Sequence, residues 1–418
     1  MNRLIYTLLL YLGLPIAILK LVVKERKSPF WKVKLKNQLG FVTKTASKAI
    51  WVHCVSVGEF NAARPLIDRL LDIYPEHRLA ITTTTITGAE AVRNHYKNRV
   101  MHYFFPFDLP SIVGPFINKI NPVACILLET EIWPNLINNL NKKAIPVMLV
   151  NARLSERSLN KYQKISSNLV QKTINQLTLI GSQNERSSER FLSLGVSPDK
   201  VVTVGNLKFD SKEKDNPSTT QSLQQMIGQR RVVVFASTRE GEEKKIIQSY
   251  VNLKDKFDAL LIIVPRHPER FDEVFNLIVD SSLKVKRRSD GLGCDESTEV
   301  LLGDSMGELL SYYSVCDIAF IGGSLIDTGG QNMLEAAALS KPILFGPSVF
   351  NFEQIAQLLL EKGASIQVDD ADGLMKTISS LLLDDAKRKE LGENAKNLLE
   401  KHRGAVDRLL KLIIPNIS

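Results

Sequence analysis

The sequence predicts two α/β domains, each a parallel sheet covered by helices on both faces, with an apolar segment ahead of them. Three observations carry that prediction. Short apolar runs alternate with helical patterns from residue 49 onward, the alternation lapses and restarts near residue 230, and residues 4–23 are almost wholly apolar. A length of 418 residues suits two domains rather than one.

The N-terminal segment, LIYTLLLYLGLPIAILKLVV over Leu4–Val23, is broken only by Thr7, Gly13, Pro15 and Lys20. Twenty helical residues reach roughly 30 Å, the thickness of a hydrocarbon core. Lys20 can snorkel and Pro15 would bend the helix. Lys24, Arg26, Lys27, Lys32, Lys34 and Lys36 follow, with Phe30 and Trp31 among them. Basic residues on that side predict that the downstream chain stays in the cytoplasm, and they argue against a cleaved signal peptide. Residues 1–30 are thus expected to be a membrane anchor, spanning or interfacial. The charge is local: residues 1–50 hold ten Lys or Arg and one acid, Glu25, which leaves 44 basic and 44 acidic residues over 51–418. An excess of +9 confined to residues 1–50, in and beside the apolar segment, points to a membrane surface and away from a nucleic-acid groove. Cys54, Cys125, Cys294 and Cys316 show no metal-ligand spacing, so buried small hydrophobes are expected and no metal site.

In the first half, strands are expected at 49–55, 79–83, 101–105, 124–128, 146–150, 177–180 and 201–204. Helices of period 3.6 lie between them, as in Leu66, Ile67, Leu70, Leu71 and Tyr74. Continuous apolar strands separated by helices mean a parallel sheet buried on both faces. Residues 31–210 form the first domain by this pattern. Residues 211–230, SKEKDNPSTTQSLQQMIGQR, lose the strand signal and read as a linker. The second domain, 231–418, repeats the pattern with strands at 232–236, 260–264, 283–285, 300–302, 318–321, 342–345 and 365–368. Its last helix is a candidate to pack back on the first domain. Neither half carries GxGxxG after its first strand, which disfavours a nicotinamide dehydrogenase.

Ligands of such sheets sit beyond the C-terminal strand ends, where strand order reverses. The first strand is followed by VSVGEFNAARPL, with Gly58 permitting a tight turn and Glu59 at the corner. The fourth is followed by LLETEIWPN, carrying Glu129 and Glu131. In the common order 3-2-1-4-5 these two corners are neighbours, and a like charge nearby raises a carboxylate pKa toward the range of a general base. A helix-start acid is the plain alternative for Glu59 and for Glu335. Lys208, in VGNLKFD after the last strand, is placed to stabilise negative charge or to be an ordinary solvated lysine. In the second half the corners ASTREGEE, VPRHPER, GDSMGE, IGGSLIDTGGQNMLEAAA and FGPSVFNFE suggest a nucleotide pocket. Gly329 and Gly330 open a helix near Asn332 whose N–H groups could hold a phosphate, Glu335 could take ribose hydroxyls, and Arg266 could fork onto a phosphate or carboxylate.

Taken together, WVHCVSVGEF, LLETEIWPN, NARLSERS, GNLKFD, VPRHPERF, GDSMGE and GGQNMLEAAA, in this order along nearly the whole chain, resemble the Kdo transferases of lipopolysaccharide biosynthesis. These enzymes move 3-deoxy-manno-octulosonic acid (Kdo) from CMP-Kdo to the lipid A precursor. The resemblance implies a GT-B fold, two Rossmann-like domains facing a cleft, with inversion at the anomeric carbon and no metal or other cofactor. It implies residence at the cytoplasmic side of the inner membrane, with CMP-Kdo, the lipid A precursor (lipid IVA) and the membrane as partners. Carried over by position, Glu59 would accept the proton, with Glu129 and Lys208 assisting. Arg266, His267, Met306, Gly307, Glu308, Asn332, Met333, Leu334 and Glu335 would bind CMP. Ala336 stands where many relatives have Pro, which touches only the helix geometry there. A GT-B transferase using a UDP-sugar, or a non-catalytic lipid-binding scaffold, remains compatible with the Gly-rich corners.

Overall fold

The computed structural model describes residues 1–45, 47–211, 216–253 and 258–417. Two compact units emerge, residues 1–211 with 402–418, and residues 212–401.

The first unit holds seven strands: β1 (Ala49–His53), β2 (Arg78–Thr83), β3 (Met101–Phe104), β4 (Pro122–Leu128), β5 (Val147–Ala152), β6 (Leu179–Ser182) and β7 (Val201–Thr203). They pair in parallel in the order β3-β2-β1-β4-β5-β6-β7, so β1 and β4 lie side by side at the reversal point. The central strands are buried on both faces because their residues serve two cores. Ile50 and Val52 pack with Leu66, Ile67 and Leu70 of the helix Val57–Ile73, whereas Trp51 packs with Phe116 and Leu136 on the other side. The alternation of side chains across a strand dictates this division.

The second unit repeats the plan with β8 (Val232–Thr238), β9 (Leu260–Pro265), β10 (Val285–Arg287), β11 (Val300–Leu302), β12 (Ile318–Ile321), β13 (Ile343–Phe345) and β14 (Ser365–Gln367). Its parallel order is β10-β11-β9-β8-β12-β13-β14, and the reversal falls between β8 and β12.

Three segments depart from the sequence reading. Residues 217–227 of the expected linker form a helix, Pro217–Ile227, while 212–215 lie outside the described residues. Asn216 caps that helix from its side chain, Pro217 occupies the first turn, and Leu223, Met226 and Ile227 are buried. Two apolar turns among polar residues gave too weak a period to stand out. The segment 402–418, counted with the second domain by the sequence pattern, belongs to the first unit, where its helix packs back as expected, with Ala405, Leu409 and Ile413 in the same core as Val52. Gly58 sits inside the first turn of the helix Val57–Ile73 rather than in a tight turn, and a Cβ there would meet only Ser56 Oγ, at 3.8 Å.

The apolar N-terminus is one helix, Arg3–Glu25, long and apolar enough to cross a membrane. Lys34, expected among the headgroup-facing lysines, is instead buried and pairs with Glu25 at 2.6 Å, tying this helix to the next, Trp31–Gln38. Lys24, Arg26, Lys27, Lys32 and Lys36 remain exposed.

Candidate active site

Each unit gathers its chemistry-bearing residues at the C-terminal ends of its own strands. In the first unit Ser56 caps the helix after β1, accepting from Glu59 N–H at a long 3.5 Å. Glu59 reaches back and takes the Val55 N–H on Oε2 at 2.8 Å. This is the S-x-x-E pattern of a capping box, shifted by one residue. Glu59 Oε1 makes no hydrogen bond among the described residues. Burial, and then the Glu129 carboxylate, push Glu59 up to about 8, against the opposing pull of the Val55 N–H; Glu131 raises it further and Lys208 lowers it.

Glu129, the residue after β4, has a positive φ of 57°. Left-handed backbone at a non-glycine residue costs about 1–3 kcal/mol and is kept where surrounding contacts enforce it. Here the Glu129 N–H is bound to Val150 O at 3.0 Å. Asn151, at a register shift near the end of β5, has φ 49°. Its side chain accepts the Leu207 N–H at 3.0 Å, which fixes the turn Leu207–Asp210 beneath the strand ends. Asn206 caps that turn through the Lys208 N–H at 3.0 Å. Lys208 is thereby held beside Glu129 and Glu59, whose charges favour its cationic form while burial lowers its pKa. Glu59, Glu129 and Lys208 are brought together in one corner.

One neighbour, His53, escaped the sequence reading, and a second, Glu131, was named there without a role. His53 ends β1, is wholly buried, stacks on Phe105 at 3.8 Å, and lies 3.4 Å from Glu131 Oε2 through Nε2. Glu131 also accepts Trp133 Nε1–H at 2.6 Å. A lone histidine within an apolar strand carries no signal in one sequence, and only the pairing of β1 with β4 brings it to Glu131.

In the second unit the corner after β8 also carries an acid in the first turn of its helix, Glu242. Glu242 is fully buried and accepts four backbone N–H groups, from Gly323 (2.6 Å), Leu325 (3.0 Å), Ser324 (3.1 Å) and Arg239 (3.2 Å). It locks the loops after β8 and β12 together. The first turn of the helix after each unit's first strand thus holds a structural acid in one unit and an acid with an uncommitted oxygen in the other. Glu243 grips Arg270 through both oxygens, at 2.7 and 3.2 Å, and so fixes the VPRHPER corner. His267 accepts from Arg239 Nη1 at 2.5 Å, and burial together with Arg239 lowers its pKa, so it is the neutral ring. Arg266 is exposed beside this group. Arg239 is a cation the sequence reading quoted without assigning; its proximity to His267 was not legible.

The other expected nucleotide contacts separate into available and committed groups. Met306 is exposed, Gly307 has φ 81°, and Glu308 is bound by Arg288 (3.1 Å) and Ser305 (2.6 Å). Asn332 Nδ2 donates to Glu335 Oε1 at 2.7 Å. Met333 and Leu334 bury their side chains and offer only backbone. The Gly329–Gly330 expectation is corrected: their N–H groups are spent on Ser348 Oγ (3.1 Å) and Gly323 O (2.9 Å), and the helix that follows, Leu334–Ala338, is a single turn and a half. The glycines are needed for their φ of 84° and 70°, and at Gly329 a Cβ would collide with Phe350 and Asn351 at 2.5 Å.

Comparison with known proteins shows the family and the fold. Residues 33–211 match the family described as 3-deoxy-D-manno-octulosonic-acid transferase (kdotransferase), and residues 231–398 match glycosyl transferases group 1. A 3-deoxy-D-manno-octulosonic acid transferase of Haemophilus influenzae is 39% identical over 425 residues, covering 100% of this chain and 99% of that one. One from Bordetella pertussis is 33% identical over 371 residues, 86% of each chain. A glycosyltransferase structure from Rickettsia africae superposes with a TM-score of 0.58 at 13% identity, covering 88% of this chain and 97% of that one, a likeness of fold. The fold is therefore GT-B, two Rossmann-like domains with an apolar helix ahead of them, and the chain belongs to the 3-deoxy-D-manno-octulosonic acid transferase family.

Proposed function

We propose that this protein transfers Kdo from CMP-Kdo to the lipid A precursor lipid IVA, with inversion and with Glu59 as general base. The observation that carries the proposal is the Glu59 carboxylate, raised to about 8 beside Glu129, with Oε1 uncommitted. Its raised pKa makes it basic enough to take a proton from a sugar hydroxyl as that oxygen attacks the anomeric carbon. The bond from that carbon to the CMP phosphate breaks on the opposite side, and the leaving phosphate carries off the electron pair. Lys208, beside Glu129 and Glu59, stabilises the negative charge of the donor. On the donor side, Arg266, with Arg239 and His267 at the same corner, offers donors to phosphate or to the Kdo carboxylate. Glu335, Asn332 and the Met306–Glu308 turn contact the nucleoside. No metal or other cofactor enters this scheme; the side chains named supply each charge.

The exposed apolar stripe of the first helix and the exposed lysines and arginine after it hold the enzyme at the cytoplasmic side of the inner membrane, beside an acceptor whose phosphates those cations attract. Incubation with CMP-Kdo and the tetra-acylated precursor, followed by mass spectrometry, is the test. A product heavier by one or more Kdo units is expected. Binding of UDP in place of CMP, or turnover only with a UDP-sugar, overturns the donor; near-normal turnover in Glu59→Gln overturns the base.

A further inference from the structure

Within the first unit a cavity of 310 Å³ lies between the N-terminal helix and the segment Phe105–Leu109. On the helix side it is lined by Leu10, Gly13, Leu14 and Ala17; on the domain side Phe105 and Trp133 form its wall. That volume is at the lower end of the ~300–1,000 Å³ typical of small-molecule sites. The helix is pinned along its N-terminal half: Tyr6 donates to Asp108 at 3.0 Å, Thr7 to Asn135 at 3.1 Å, and Tyr11 bonds Ser111 at 2.6 Å. Its opposite stripe, Leu4, Leu8, Leu12, Ile16, Leu19 and Val23, is more than half exposed throughout. A spacing of three and four residues makes this one face, suited to lipid.

We infer that this cavity seats part of a fatty-acyl chain of the lipid acceptor, an assignment that rests on the proposed transfer to a membrane lipid. Three observations select that occupant. The wall facing the membrane is itself a lipid-facing helix, so what reaches the cavity along it is a chain already in the bilayer. Phe105 and Trp133, with ring centroids 5.3 Å apart, separate the cavity from the carboxylate corner: Phe105 stacks on His53 and Trp133 bonds Glu131. A chain lying there therefore belongs to a molecule whose polar head stands at the catalytic side of the same aromatic pair. Finally, Gln38 lines the cavity, is 7% exposed, and its Oε1 has no hydrogen-bond partner among the described residues. A buried acceptor left open calls for a donor from the ligand, an O–H or amide N–H near the head of the chain.

Gly13→Leu tests the assignment. A Cβ at Gly13 meets nothing within 4 Å, so leucine grows into the cavity, and leucine in place of glycine favours the helix. With dibromostearate as probe, bromine in the cavity quenches Trp133 fluorescence; the quenching should drop in Trp133→Phe to what Trp31 and Trp51 contribute, and fall sharply in Gly13→Leu. In transfer assays Gly13→Leu should raise KM for the acylated acceptor about tenfold, as loss of two buried methylenes would. KM for the deacylated, water-soluble acceptor should stay unchanged. Quenching indifferent to Gly13→Leu, or equal effects on both acceptors, overturns the acyl seat. Quenching that behaves as expected in an enzyme unable to modify any lipid supports the seat and counts against the transfer reaction.

Discussion

Glu59 is a carboxylate whose environment disfavours its charge. Its folded value near 8 lies above the ordinary 4.5, so the native state holds the proton more tightly than the unfolded chain. Its contribution to stability is present below about 4.5 and is lost as pH rises to about 8. Glu59→Gln keeps an oxygen for the Val55 N–H yet cannot ionise. We expect the variant to be the more stable protein at pH 8 by on the order of 1 kcal/mol, read from urea midpoints at pH 5 and pH 8, with the gap opening only at the higher pH. Its transfer rate should fall about 10²–10⁴-fold. In the native enzyme kcat/KM should climb with pH and level off above about 8, the value at which the base becomes ionised. A profile flat from pH 6 to pH 9 would contradict that assignment.

The element that organises the first corner is the turn Leu207–Asp210, held from above and from below. Asn151 and Asn206 fix its start, while Asp210 accepts the Gly404 and Val406 N–H groups, both at 2.6 Å, and so docks the helix Ala405–Ile413. Asp210→Ala strands one buried and one half-buried donor and should destabilise the first unit by about 2 kcal/mol, measured by denaturant unfolding. In the second unit Glu242→Ala strands four, and should loosen the loops after β8 and β12; weakened CMP binding by calorimetry is the check. Strand positions were legible because a parallel sheet buried on both faces needs unbroken apolar runs, and the β1–β4 pairing follows the common order. The corner itself was half legible. Glu59, Glu129 and Lys208 stand directly after strands, where sequence points to them, but what distinguishes Glu59 from Glu242 is how many N–H groups each receives. That depends on loops distant in sequence. The helix Pro217–Ile227 was missed because its buried side is only Leu223, Met226 and Ile227.

At the scale of the molecule, the chain crosses from the first unit into the second and returns at residue 402. The sequence offered this return as a candidate without fixing it, because the helix Ala405–Ile413 is amphipathic and would suit either sheet. Its apolar face completes the core around Val52, Leu66 and Leu70. Ending the chain at Lys401 should therefore lower amide protection across β1 and the helix Val57–Ile73 while strands β8 to β14 keep theirs, as hydrogen exchange would show. The return also sets an order of events during synthesis. Residues 212–401 must leave the ribosome before the last helix is available, which at about 5–20 residues per second takes roughly 10–40 s. The nascent first unit spends that interval with part of its oily interior uncovered, and its closure waits on residues made only after the whole of the second unit.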